Sequence, residues 1–207
     1  MATEIYDDNS LYATDKLGMV NQCLIAINQT PLPAGTVLAD LDTGTDAQIA
    51  RDIVAYTMRE VQTRGWYFNT DRNFSLLPDS NGFIALPENL LRFDVGDSQD
   101  RGMLVIKGNK IYNRYKQDYT FDRPVVGTAV WLTDYSDLPV NAYQYIALRS
   151  ARIFQQRVVG SKELYAFTAQ DEIDAFTNLQ REELQYNDYN LFDSRVTSRY
   201  YNPTWGQ

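Results

Sequence analysis

The sequence predicts an α+β protein: a four-helix bundle with a β-rich lobe inserted between helices two and three, then an extended C-terminal arm. Three observations lead there. Helical periodicity occupies the two flanks of the chain, at about 14–29 and 46–64 and again at about 139–186. Short runs of period-2 alternation with turn signals fill the stretch between them. No helix alternates with each strand, which excludes a doubly wound parallel sheet. The implied division is a helical bundle from residues 1–65 and 136–187, a β-rich lobe at 66–135 and an arm at 188–207.

In the first helix, Leu17, Val20, Leu24 and Ile27 recur at helical spacing, widened by Met19, Cys23 and Ile25. Thr14 suits the N-cap and Asp15 suits the positive end of the helix dipole. Thr30-Pro31-Leu32-Pro33 ends the helix, because each proline disfavours helix at the preceding residue. The second helix presents Ile49, Ile53, Tyr56 and Val61, with Ala50, Val54 and Met58 beside them, and Gly65 stands where a left-handed C-cap glycine belongs. Trp66-Tyr67-Phe68 then reads as the entry to a strand. One hairpin is expected at Asn81-Gly82, between Phe74–Leu77 and Phe83–Leu86. Another is expected at Gly108-Asn109, between Met103–Ile106 and Ile111-Tyr112. Leu91–Val95, Tyr119–Phe121 and Val125–Leu132 bring the set to roughly six or seven strands. Helix returns after Ser136-Asp137-Leu138-Pro139, with proline in the first turn. Tyr143, Ile146, Ala147, Ala151, Phe154 and Val158 carry it to Gly160. Ser161 caps a fourth helix to about Tyr186, striped by Ala169, Ile173, Phe176 and Leu179.

Composition narrows the chemistry. The net charge of −8 argues against a sequence-independent duplex-DNA binder, which needs a basic face to displace counterions. It suits a wall that DNA passes without sticking, and equally an ordinary acidic protein. With no histidine, Ser-His-Asp and Cys-His nucleophilic sites and the usual zinc sites are excluded. The one cysteine, Cys23, precludes an internal disulfide and reads as a small buried hydrophobe. No phosphate-cradling glycine loop occurs, and no cofactor is expected. No apolar run is long enough to span a membrane, so no membrane insertion is expected, and the N-terminus lacks a signal-peptide pattern. Residues 1–10 read as a flexible acidic arm.

Paired carboxylates occur at Asp7-Asp8, Asp171-Glu172 and Glu182-Glu183. A glycosidase needs two carboxylates facing across a cleft, whereas adjacent helical residues point apart. They read as a solvated acidic face. Lys107, Lys110, Arg114 and Lys116, interleaved with Tyr112 and Tyr115, could contact single-stranded nucleic acid; a basic sheet face meeting an acidic neighbour explains them as well. The 15 tyrosines suit surfaces buried against partners with one polar tip wet. Trp66, Tyr67 and Phe68 can serve as core beneath the helices or as an inter-subunit anchor, and core is favoured for Trp66 and Phe68. Tyr112 and Tyr115 are read likewise as inter-subunit or lobe packing. The tail carries Tyr189, Phe192, Tyr200, Tyr201 and Trp205 without periodicity. Such a tail either folds back or docks on a partner, and docking is favoured because exposed aromatics invite association.

Several strings resemble the tail tubular protein A family of short-tailed phages. They are Asp15-Lys16-Leu17 with Pro31 to Pro33, the run Val61–Asn69, and Leu76-Leu77-Pro78-Asp79. Further along they are Leu132–Pro139, Arg149–Arg157 and Gly160-Ser161. The resemblance covers about Thr14 to Asp193. It implies a non-enzymatic virion protein of the tail, assembled in the host cytoplasm. The implied assembly is a dodecameric ring, an adaptor or gatekeeper between the portal protein and the tail nozzle protein, with tail fibres attached nearby. It also implies a C-terminal segment reaching the portal, with DNA only in transit through the lumen. Two other classes stay open: a cell-wall glycan hydrolase using paired carboxylates, and a monomeric binding module.

Overall fold

The computed structural model describes residues 15–96, 102–160 and 162–186. Four α-helices and small antiparallel sheets make the protein α+β. Helix α1 spans Lys16–Ile25, α2 Asp46–Gln62, α3 Val140–Val158 and α4 Lys162–Tyr186. Thr14, expected as the first cap, lies outside the described residues. Asp15 takes that role, its Oδ1 accepting from the Gly18 N–H at 2.7 Å. The helix ends at Ile25, earlier than periodicity suggested, because the chain turns out through Asn28 at φ 60°. The proline loop after it is pinned by Asn21, whose side chain exchanges two hydrogen bonds with the Leu32 backbone. Gly65 does close α2, with φ 81°. Pro139 caps α3, its carbonyl accepting from the Tyr143 N–H at 2.9 Å.

One apolar cluster draws residues from all four helices. Met19, Val20, Cys23 and Leu24 of α1 meet Ala50, Ile53, Val54 and Met58 of α2, Ile146 and Phe154 of α3, and Leu179 of α4. Cys23 is buried as expected, and burial pushes its thiol up to about 12. Five expected stripe positions are corrected, among them Ile25 of α1 and Val158 of α3, which are exposed. Ile49 and Tyr56 of α2 are exposed, as is Ile173 of α4, while Ala47, Thr57 and Ala175 are buried instead. The small alanines let neighbouring helices approach closely, so that side of each helix turns inward.

The strands are β1 Thr70–Leu76, β2 Leu90–Val95, β3 Leu104–Lys107, β4 Lys110–Asn113 and β5 Val125–Trp131. Five named strands are thus found among the described residues, against six or seven expected. One sheet has the order β1-β5-β2, all antiparallel, and β3-β4 forms the hairpin signalled by Gly108-Asn109. A second apolar cluster contains Leu76, Ile84, Phe93, Leu104, Ile111, Val125 and Ala129.

The Asn81-Gly82 hairpin is a correction. The turn exists, with Asp79 Oδ1 accepting from the Asn81 and Phe83 N–H groups, but it joins no ladder. β5 occupies the edge of β1, pairing Leu76 with Val125. Phe83 and Ala85 instead bridge to Thr120 and Lys110, which carries Ile84 into the strand cluster. Tyr119–Phe121 is likewise an isolated bridge. Trp66-Tyr67-Phe68 forms a turn, and the strand starts at Thr70.

Gly127 marks the tightest point of the sheet. A Cβ there would lie 2.4 Å from the Asp94 carbonyl oxygen and 2.7 Å from the Phe93 ring. Gly127→Ala is expected to cost about 2 kcal/mol, because β2 must shift off β5. Urea unfolding of the variant measures the loss, and an unchanged midpoint would refute the close approach.

Candidate functional site

The groups with the densest chemistry gather where the end of α2 meets the strands. Asn69 and Gln62, both buried, form the hub. Asn69 Oδ1 accepts from the Trp66 N–H at 2.8 Å. Its Nδ2 donates to the Gln62 carbonyl at 3.0 Å and the Trp131 carbonyl at 2.7 Å. Gln62 Nε2 donates to the Thr133 carbonyl at 3.0 Å, and its Oε1 accepts from the Thr133 N–H at 2.8 Å. Two amide side chains therefore tie α2, the aromatic turn and the end of β5. Arg92 of β2 adds a further tie, donating to the Thr63 and Arg64 carbonyls just past α2, where the helix dipole is negative.

The aromatic turn packs on the end of α4. Trp66 is buried in the helical cluster, its indole N–H donating to the Val61 carbonyl at 2.8 Å and its ring edge-on to Phe176. The favoured core reading thus describes the surroundings of Trp66, and Phe68 is partly buried against the same cluster. Tyr67 behaves differently. Its ring stacks on Tyr186 with centroids 4.1 Å apart and planes 4° from parallel. Its backbone N–H donates to Glu183 at 2.7 Å. Burial, then a hydrogen bond to Glu182, pushes the Tyr67 phenol well above its ordinary value. Trp66, Tyr67, Glu183 and Tyr186 border a cleft of about 290 Å³ lined also by Gly65, Thr70 and Arg72.

Tyr112 and Tyr115 are not brought to this junction. They lie on and just after β4, where Tyr112 packs against Tyr119 at 4.7 Å and Tyr115 is 82% exposed. Tyr189, Phe192, Tyr200, Tyr201 and Trp205 lie outside the described residues.

The acidic pairs are not a uniformly solvated face, which corrects the expectation. Asp7-Asp8 lies outside the described residues, and Asp171 is exposed. Glu172 is buried between two arginines, with Arg149 Nη1 at 2.7 Å and Arg152 Nε also on its carboxylate. Arg149 reaches on to Glu60 of α2 at 2.7 Å, which joins α2, α3 and α4. Burial alone would raise the Glu172 carboxyl. Hydrogen bonds from Arg152 and Arg149 outweigh it and hold the group below the usual carboxylate range. Such a carboxylate is unfit as a general acid, which needs a raised pKa. Glu182 accepts from Asn141 at 2.9 Å and Glu183 from the Tyr67 backbone, both holding the end of α4 in place. No helix among the described residues is long and apolar enough to cross a membrane.

No signal in the linear sequence singled out Gln62, Asn69 or Arg92 as site residues, and Glu172 stood out only as one of a pair of solvated acids. Their partners lie up to 71 residues away in the chain, beyond the reach of any local pattern.

Comparison with known proteins places the fold in context. Residues 17–189 match the family model described as "Tail tubular protein". The chain is also similar to "Tail tubular protein A" of Klebsiella phage KP34, at 27% identity over 179 residues, covering 85% of this chain and 94% of that protein.

Proposed function

The chain belongs to the tail tubular protein family, and on that premise we propose that it is a ring-forming adaptor joining the portal to the tail nozzle. Membership makes it a structural component of a phage tail; the family is structural rather than enzymatic. The observation that carries the proposal is the length of the match, which runs from α1 to just past α4. In this reading the helices work as one bundle (1–65 and 136–187), and the strands, 66–135, as a lobe inserted into it. The separate helical and strand clusters support that division.

Adjacent copies in a ring of twelve meet head-to-tail through two different faces, and the contact closes by rotation. The ring holds the portal above and the nozzle below, helps to anchor tail fibres, and passes DNA through its lumen. The net charge of −8 favours passage without sticking, since acidic walls repel phosphate. The arm at 188–207, with its five aromatics, reaches the portal, and Tyr189, Phe192, Tyr200, Tyr201 and Trp205 are its docking residues.

The test is a pull-down with the portal protein of the same genome, followed by negative-stain microscopy. The chain is used whole and without residues 188–207. Rings on the portal that disappear on truncation are the expected result. Rings that survive truncation would move the interface to the helices. No portal binding by the whole chain would remove the adaptor reading.

A further inference from the structure

From two oppositely charged faces we infer that the β3–β4 hairpin of one copy docks on the acidic start of α2 in the next copy. This contact presupposes the ring-forming adaptor and identifies the two faces that close the ring. From Met103 to Arg123 the chain carries five cations and two carboxylates, in a protein of net charge −8. Lys107 and Arg114 are exposed, and among the described residues neither they nor Lys110 form an ion pair. Lys107 and Lys110 lie over the Tyr112 and Phe83 rings, at 4.8 and 4.2 Å, which fixes their stems on the sheet surface. Tyr112 and the half-buried Val105 opposite it share that face of the hairpin, whereas exposed Ile106 pairs with buried Ile111 on the other.

A complementary face lies at the start of α2. Asp40, Asp42 and Asp52 are exposed there. The nearby cation, Arg51, is already committed to Asp52 at 2.8 Å and to the Leu38 carbonyl at 2.9 Å. Ile49 and Tyr56 are exposed on the same helical face as Asp52, at spacings of three and four residues. The hairpin face sets Tyr112 with Lys107 and Lys110, and the α2 face sets Ile49 and Tyr56 beside Asp52 with Asp40 and Asp42 ahead of the helix, so the two faces carry opposite charge beside apolar side chains. Apolar centres with charged rims are the make-up of a protein contact. Because the two patches differ and sit on every copy, their contact is head-to-tail and propagates around a ring.

The experiment reverses each face in the whole chain. K107E/R114E and D40K/D42K are made singly, mixed in equal amounts, and combined in one chain. Ring formation on the portal is read by negative stain and sedimentation, with circular dichroism confirming the fold. Each single reversal is expected to lower the ring population by roughly tenfold near physiological salt. The mixture and the combined variant are expected to restore it, since every contact again pairs opposite charges. Rings untouched by both reversals would overturn the contact, as would a loss that neither the mixture nor the combination repairs. Altered retention of duplex DNA by K107E/R114E with rings intact would reassign the hairpin to nucleic acid. Failure of the unaltered chain to ring on its portal would instead remove the adaptor reading itself.

Discussion

Asn69→Ala is expected to lower the stability of the protein by about 3 kcal/mol. The side chain is buried and serves three backbone groups, the Trp66 N–H and the Gln62 and Trp131 carbonyls, at 2.7 to 3.0 Å. Alanine withdraws all three bonds and leaves a space too apolar to replace them. Withdrawing a partner from a buried polar group costs about 1–3 kcal/mol, and linked bonds weaken together. For a chain of this size the loss corresponds to a fall in Tm of roughly 6–12 °C. The strands should loosen first, because Asn69 and Gln62 tie β5 to the end of α2. Hydrogen exchange would show lost protection in β5 ahead of α3. A variant whose Tm stays within about 2 °C of the parent would refute the hub role.

The second large effect concerns Glu172. Its replacement by alanine leaves Arg149 and Arg152 without their shared carboxylate in a partly dry site. Removing one member of a buried pair is expected to cost about 2–4 kcal/mol, toward the lower end because the arginines keep some contact with water. The same group predicts an acid dependence. Its folded pKa is depressed below the ordinary 4.5, so its contribution to stability is complete above that pH. The contribution fades as pH falls through the lower folded value. Chemical unfolding from pH 7 to pH 3 should therefore show the gap between parent and Glu172→Gln narrowing in acid. A gap that stays constant over that range would show that the carboxylate is not held ionised by the two arginines.

Much of the helical framework was legible from local pattern. The apolar periodicity of α1 and α3, the proline at the start of α3 and the glycine after α2 are all short-range signals. The same holds for the Gly108-Asn109 hairpin, whose strands are only two residues apart. Such features follow from backbone sterics and nearest-neighbour contacts, which a single segment carries in its own residues.

The candidate site was much less legible. Trp66-Tyr67-Phe68 stood out, yet β-propensity alone suggested a strand where Asn69 and the α4 terminus enforce a turn. Glu172 looked like one more solvated acid until α3 supplied two arginines.

Local sequence therefore determined which segments are helical, where α2 and α3 stop, and that Cys23 is inside. Tertiary structure alone decided that β1 pairs with β5 and not with Phe83–Leu86, and that α2 buries Ala50 and Thr57 while exposing Ile49 and Tyr56. It also decided which polar groups go inside with partners. The physical reason is common to these cases. Strand pairing, the choice of buried helix face and the desolvation of an ion pair depend on residues far apart in sequence, and their free energies exist only once those residues meet.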